Sequence, residues 1–408
     1  MSPGFVCKQL HERCELAQLA RDSHETRAAD VAQIREAVSD LCGRYPAEYW
    51  RDLDRRGEYP TAFVNAMAEA GWLGILIPEK YGGAGLGITE ASVVLEEVDR
   101  HGGNATSCHA QMYTMGTVLR HGTEEQKERY LPEIAAGRLR LQAFGVTEPD
   151  AGSDTTRIRT SAVRQGDRYV VNGQKVFISR VQQSDLMLLL VRTTPYEAVE
   201  KKTDGLTTLL VDLREAGDAI RVRPLEMMIN HHTTELFIDN LEVSVANRIG
   251  EEGRGFRYLL DGLNSERILV AAESIGRARW FIERASTYAS NRVVFGRPLA
   301  VNQAVQFPIA RAYANAEAAD LMRFEAARLF DAGRPCGTQA NLAKLLASEA
   351  SWEAANACMD AHGGYGFAVE YDVERIFRES RLARTAPINN NLVLAYLGSH
   401  VLGMPRSY

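Results

Sequence analysis

Leu141-Gln142-Ala143-Phe144-Gly145-Val146-Thr147 is the point at which the texture of this chain changes. Up to it, from about residue 26, the signals are helical. Pro60 stands where a first-turn proline belongs, ahead of Phe63, Met67 and Ala70. Thr123, with Gln126 three residues later, forms a capping box that opens a segment ending near Gly137. From Leu141 onward come short β-rich runs: Leu141–Thr147, Arg168–Arg180, Asp185–Thr193, Leu206–Leu213, Ile220–Leu225 and Thr233–Val245. Gly166-Asp167, Asn172-Gly173 and Asp204-Gly205 punctuate them as turn formers. After Gly255 the periodicity is helical again, over about 255–293, 302–332, 338–361 and 370–380. Helices, then strands, then helices predict an α+β protein with segregated layers. Strands and helices do not alternate, which excludes a doubly wound sheet. The expected division is a polar N-terminal extension (1–25), an N-terminal helical domain (26–140), a middle antiparallel β-domain (141–250) and a C-terminal helical domain (251–408).

The 408 residues carry 47 Lys and Arg against 53 Asp and Glu, a formal net charge of -6. That balance argues against nucleic acid or an anionic membrane as the partner of the chain as a whole. No run of about 18 apolar residues offers a membrane span. Lys8, Glu12, Arg13 and Glu15 break up the first residues, so neither a signal nor a transit peptide is read there, and a cytoplasmic location is expected. Six dispersed cysteines without a C-x-x-C fit buried thiols in a reducing compartment rather than a disulfide framework or a zinc site. G-x-G-x-x-G, the P-loop, G-x-S-x-G and H-E-x-x-H are all absent.

Five segments stand out. Val146-Thr147-Glu148-Pro149-Asp150-Ala151-Gly152-Ser153-Asp154 breaks a strand with small and hydroxyl residues, either as a nest of N–H groups for an anion or as a plain loop capped by Asp154. Asn172-Gly173 signals a hairpin, after which Phe177 and Ser179 share a face of the outgoing strand, a ring beside a hydroxyl that suits a flat heteroaromatic ligand or simply a core Phe. Glu266 lies on an apolar helical stripe with Leu259, Leu263 and Val270, and no basic residue stands three or four positions away. Such a carboxyl has a raised pKa and suits a proton abstractor, unless a cation from elsewhere neutralises it. Glu273, by contrast, has Arg277 four residues on, the spacing of a routine surface pair. Arg292-Val293-Val294-Phe295-Gly296 with Gln303 combines base, ring and amide near a turn between helices, fit for a phosphate-bearing cofactor or for a helix C-terminus. His362-Gly363-Gly364-Tyr365-Gly366-Phe367 is a helix-ending loop whose glycines admit close backbone approach. His231-His232 reads as surface loop and no metal site is expected.

Taken in order, Ile77-Pro78-Glu79-x-x-Gly82-Gly83, Val146-Thr147-Glu148-Pro149-x-Ala151-Gly152-Ser153-Asp154, Asn172-Gly173-Gln174-Lys175, Arg292-x-x-Phe295-Gly296 and Gly363-Gly364-x-Gly366 resemble the acyl-CoA dehydrogenase family, over about residues 30 to 400. The resemblance implies a helical domain, a β-domain and a C-terminal four-helix bundle, assembled as a homotetramer or homodimer with one FAD per subunit. It places the flavin against Phe144, Val146 and Thr147, with Phe177 where Trp is usual and Ser179 where Thr is common. Arg292, Phe295, Gln303, Gly363 and Gly364 correspond to positions that reach the FAD of a neighbouring subunit, and Asp360 sits where a Gln often touches it. Ser153 borders the pantetheine arm, and the helix from about Thr106 lines the acyl pocket, with Met112 and Met115 either in that lining or in the core.

Many members carry the base before Gly-Thr near the C-terminus; here the resemblance puts Asn390 at that position and Leu392 where a Thr is usual. A minority place it on the helix directly before an Arg, and Glu266-Arg267 matches that pattern, with Arg267 beside the substrate. The implied reaction is α,β-dehydrogenation of an acyl-CoA or acyl-carrier-protein thioester, the α-proton passing to Glu266 and the β-hydride to flavin N5. A flavin ribityl hydroxyl and the Asn390 N–H would polarise the thioester carbonyl, and an electron-transferring flavoprotein would take the electrons. Two alternatives stand beside it: a flavin oxidase or monooxygenase of the same fold, and a CoA-ester-binding protein without turnover.

Overall fold

The computed structural model describes residues 30–406, so the extension expected over 1–25, with Cys7 and Cys14, lies outside the described residues. Helices come first: α1 (30–42), α2 (Ala47–Arg56), α3 (Thr61–Glu69), α4 (Ile88–Arg100), α5 (Thr106–His121) and α6 (Glu124–Ala135). Pro60 directly precedes α3. Thr123 caps α6 as its sequence dictates, its Oγ1 accepting from the Gln126 N–H at 3.2 Å while its own N–H donates to Gln126 Oε1 at 3.0 Å. α5 buries Met112 and Met115 completely, and both are core.

The middle region holds β1 (Leu141–Gly145), β2 (Ser161–Gln165), β3 (Arg168–Ser179), β4 (Leu186–Arg192), β5 (Leu206–Asp212), β6 (Ile220–Pro224), β7 (Thr233–Ser244) and β8 (Arg248–Ile249). They form one sheet in the order β6-β7-β3-β2-β4-β5-β8, with β1 attached to β4. Three readings of the sequence are corrected here. β2 was not anticipated, because it is short, buries only Ala162 and leaves Val163, Arg164 and Gln165 exposed. The sheet is not wholly antiparallel: β1 runs parallel to β4, a pairing that hydrophobic pattern alone does not encode. Asn172-Gly173 is no hairpin turn but lies inside β3 at a register shift against β7, and Gly166-Asp167 makes the β2–β3 turn. Gly173 serves close approach instead, since a Cβ there would sit 2.5 Å from Thr160 Oγ1.

The C-terminal region contains α7 (Gly255–Asn291), a two-stranded hairpin of β9 (Val293–Val294) and β10 (Arg297–Pro298), then α8 (Gln303–Asp331), α9 (Gly337–His362), α10 (Val373–Leu382) and α11 (Asn390–Tyr396). α7 to α10 form the four-helix bundle, packed through alanines such as Ala271, Ala278, Ala316, Ala343 and Ala354, whose small side chains let the helices approach closely. Cys42, Cys108, Cys336 and Cys358 are free and buried. Among the described residues no helix is long and apolar enough to cross a membrane.

α4 ties the N-terminal helices to the bundle by charge. Arg323, fully buried, donates to Glu96 Oε2 at 2.9 Å and to Ser92 Oγ at 2.6 Å, while Arg35 reaches the same Glu96 oxygen at 2.6 Å. Burial pushes the Glu96 carboxyl up, but Arg323, Arg35 and Arg279 outweigh it and hold the group below its ordinary range. At this crossing Gly276 of α7 faces α4 so closely that a Cβ would lie 2.3 Å from the Glu96 carbonyl oxygen. Gly276→Ala forces the two helices apart and lowers stability by about 1–3 kcal/mol, despite alanine's better helix propensity. Chemical unfolding checks this; a variant as stable as wild type refutes the close-contact argument.

Candidate active site

A cavity of about 190 Å³ opens where the three regions meet. α5 contributes Thr106, His109, Ala110 and Tyr113, spaced as one helical face. β1 adds Gln142 and Phe144, the end of β3 and the following turn add Phe177, Ser179 and Arg180, and a β-domain loop adds His231. α7 presents Glu266, Val270, Glu273 and Arg277, while the segment after α10 closes the cavity with Ala386 and Pro387.

Glu266 is buried, and its carboxylate makes no hydrogen bond or ion pair with any described residue. Burial pushes it up to about 7, against the weaker pull of His109 and Arg267. The pH dependence follows. Proton abstraction needs the ionised form, so the rate of any such step rises with pH through about 7 and levels above it. Stability runs the other way, because the folded state holds this proton more tightly than the unfolded chain. The resulting stabilisation is complete below the ordinary 4.5 and is lost as pH rises through about 7. Comparing unfolding midpoints of wild type and Glu266→Gln across this window tests it, since glutamine does not titrate; parallel curves refute it.

Phe177 departs from the regular alternation expected of it. Its φ is 60°, the register against β7 shifts between Lys175 and Ile178, and the ring is 61% exposed at the cavity mouth. Beside it, the Ser179 hydroxyl and the Thr147 N–H have no partner among the described residues. An exposed ring flanked by free donors fits the face and edge of a flat heteroaromatic cofactor. The neighbouring loop is held from beneath. Glu148 accepts from the N–H groups of Arg159 (2.6 Å) and Thr160 (2.9 Å) and from Lys175 Nζ (2.9 Å). Lys175 also donates to the Val146 carbonyl at 2.9 Å, and Val176 N–H donates to Thr147 at 2.9 Å. Burial draws Lys175 down to about 8, with Glu148 opposing the fall. Burial alone would raise Glu148, but Lys175 and the two amides keep it below its ordinary range. This segment is therefore neither a bare anion nest nor a free loop: an ion pair anchors it. Ser153 is exposed at its end and accepts from Asn389 Nδ2 at 3.2 Å.

Other sequence expectations need correction. Glu273 and Arg277 are no surface pair: both are buried, Glu273 accepting from His109 Nδ1 at 2.7 Å and Arg277 lying 3.1 Å from Asp99. The i,i+4 spacing carries no information on which face of α7 is covered. His231 lies at the cavity and not on the surface, its Nδ1 3.3 Å from Arg180. Asn390 does not reach the cavity. Its side chain accepts from Lys344 Nζ at 2.7 Å and its N–H donates to Arg384 at 3.2 Å, so Ala386 and Pro387 occupy the wall instead. Arg267, one residue on from Glu266 and so a quarter-turn round the helix, donates to Asn264 at 2.9 Å and lies off the cavity.

Arg292, Phe295, Gln303, Asp360, Gly363 and Gly364 are exposed and none of them lines the Glu266 cavity. The Arg292 guanidinium stands 5.8 Å from the centre of the Tyr365 ring, which brings the hairpin to the glycine turn after α9. Phe295 and Gly296, with φ of 55° and 77°, make the hairpin tip, where the Phe295 ring is 100% exposed. Gln142, Arg180 and His109 were missed by sequence reasoning; the i, i+3, i+4, i+7 series on α5 was the one available signal for the last. Among the described residues no cluster suited to a metal ion occurs.

Comparison with known proteins adds to this geometry. The description "Acyl-CoA dehydrogenase, N-terminal domain" matches residues 28–138, "middle domain" residues 143–241 and "C-terminal domain" residues 253–387. An acyl-CoA dehydrogenase of Mycobacterium bovis is 35% identical over 380 residues, covering 92% of this chain and 96% of the relative. A caffeyl-CoA reductase-Etf complex subunit of Acetobacterium woodii is 35% identical over 353 residues, covering 86% of this chain and 92% of the relative. The solved butyryl-CoA dehydrogenase of Megasphaera elsdenii superposes with a TM-score of 0.85 at 27% identity, covering 91% of this chain and 98% of that one.

Proposed function

The chain belongs to the acyl-CoA dehydrogenase family, and from that premise we propose that it is an FAD-dependent α,β-dehydrogenase of an acyl thioester with Glu266 as its base. One observation carries the reading: a buried, unpartnered carboxylate pushed up to about 7 faces a cavity whose mouth bears an exposed ring and free donors. Phe177, with Phe144, Val146, Thr147 and Ser179, would hold FAD, which when bound would supply the acceptor for the β-hydrogen and its electron pair. Glu266 takes the α-proton onto a carboxylate oxygen. Its burial keeps the proton affinity high enough for a weakly acidic C–H and excludes the water that would solvate the anion. Tyr113 and Val270 hold the acyl group between α5 and α7, so that the α-carbon meets Glu266 and the β-carbon faces the opening.

The exposed Phe295 tip, Arg292 and Gln303, with Asp360, Gly363 and Gly364, form the second set of FAD contacts, offered to a neighbouring subunit of a homotetramer or homodimer. A fully exposed ring at a hairpin tip supports that reading, because such a residue is normally covered in an assembly. Electrons would pass to an electron-transferring flavoprotein; the likeness to an Etf-complex subunit supports it. Anaerobic titration of the FAD-loaded protein with a panel of acyl-CoAs tests the proposal. Bleaching of the flavin by at least one thioester is expected, and a flavin that none of them reduces removes it.

A further inference from the structure

The inner wall of the Glu266 cavity is charged, and its charges are unevenly answered. Arg277 has Asp99 at 3.1 Å and Glu273 at 3.6 Å, and Glu273 also accepts from His109. Arg180 is different. It is 4% exposed and donates to Thr106 Oγ1 at 2.7 Å and towards His231 Nδ1 at 3.3 Å, yet it forms no ion pair with any described residue. His231 offers no charge in exchange: burial and Arg180 hold it well below its ordinary range, so it is neutral. On the same wall Gln142 is 2% exposed. Its Oε1 accepts from the Tyr59 hydroxyl at 3.0 Å, while its Nε2 is buried without a partner.

A guanidinium with no carboxylate in contact, Glu273 acting on it only from longer range, and an amide without an acceptor are costly inside a protein. A hydrocarbon chain pushed against them would dry them further and satisfy neither. A carboxylate would satisfy both, since the planar fork of Arg matches its two oxygens. From this arrangement we infer that the acyl group ends in a carboxylate received by Arg180 and Gln142, and that the substrate is the thioester of a short dicarboxylic acid. The small cavity limits the chain between thioester and carboxylate. This inference rests on the dehydrogenase reading and deepens it.

The test separates the two. In the Glu266→Gln protein, which binds without turnover, calorimetry compares glutaryl-CoA with valeryl-CoA, equal in chain length but lacking the terminal charge. Glutaryl-CoA should bind at least about tenfold more tightly, as a charge-assisted hydrogen bond provides. Arg180→Met in that background should erase the preference, and Gln142→Leu, a milder change, should reduce it. In the otherwise wild-type enzyme, glutaryl-CoA should show the higher kcat/KM for flavin reduction. Equal or weaker binding of glutaryl-CoA overturns the inference, and so does a preference that survives both substitutions. If valeryl-CoA reduces the flavin as well as glutaryl-CoA does, the dehydrogenase reading stands and this inference falls. A flavin that no thioester of the panel reduces, beside a clear binding preference, leaves the carboxylate site standing and removes the dehydrogenase reading.

Discussion

Glu266→Gln slows flavin reduction by a good thioester substrate at least about 10²–10⁴-fold, the usual contribution of a positioned base. The substitution keeps shape and polarity and removes only the capacity to take a proton, so FAD content and thioester binding stay near wild type. No neighbour can take over. Glu273 shares the cavity wall, and burial would raise it, but His109 and Arg277 hold it below its ordinary range, leaving a weak base. Ala386 and Pro387, where the chain after α10 reaches the cavity, carry no titratable group. Adding Asn390→Glu to the Glu266→Gln protein restores little, because the Asn390 side chain points to Lys344, 2.7 Å from its Oδ1, and a carboxylate there would pair with that ammonium. Stopped-flow reduction under anaerobic conditions is the measurement. A folded, FAD-loaded Glu266→Gln protein that reduces at the wild-type rate would falsify the assignment.

Lys175→Met lowers stability by about 3–5 kcal/mol, the penalty for breaking a buried ion pair from one side. Methionine fills the volume but leaves Glu148 ionised and buried beside Arg159 and Thr160. The loss is larger than that of one hydrogen bond because Lys175 also holds the Val146 carbonyl, so the loop under Phe177 loosens with it. FAD affinity should fall in parallel. The double change Lys175→Met with Glu148→Gln removes both charges and should recover part of the loss, a coupling that a double-mutant cycle isolates. Denaturant midpoints of the four proteins decide it; a single variant within about 1 kcal/mol of wild type denies the pair this role.

What could be read from the sequence, and what could not, divides along physical lines. The helix–sheet–helix order followed from periodicity and from Gly and Pro punctuation, and the Thr123 cap from a local rule that tertiary contacts did not override. The isolation of Glu266 was legible too, because its helix offers no basic neighbour at three or four positions. Failures came where a residue's meaning depends on another segment. Gly173 looked like a turn because Asn-Gly is a turn signal, yet the constraint on it is Thr160, thirteen residues earlier. Glu273 and Arg277 looked like surface residues because an ion-pair spacing is the same on either face of a helix; α5 covers that face and supplies His109. Asn390 was placed by pattern alone, and the fold turns it towards Lys344. Arg180 carried no local signal: its isolation is visible only once β3, α5 and the His231 loop are brought together.

α7 gives the protein an unusual sensitivity to changes in chain length. Its 37 residues form one unbroken helix that carries Glu266 in its first half and delivers the hairpin with Phe295 at its end, roughly 40 Å further along. Substitutions on its outer face leave that spacing alone. Insertion or loss of a single codon between them rotates one end against the other by about 100° and shifts it by about 1.5 Å. No loop in the interval can absorb the error, so related genes should tolerate replacements on the outer face of this segment and almost no insertions or deletions.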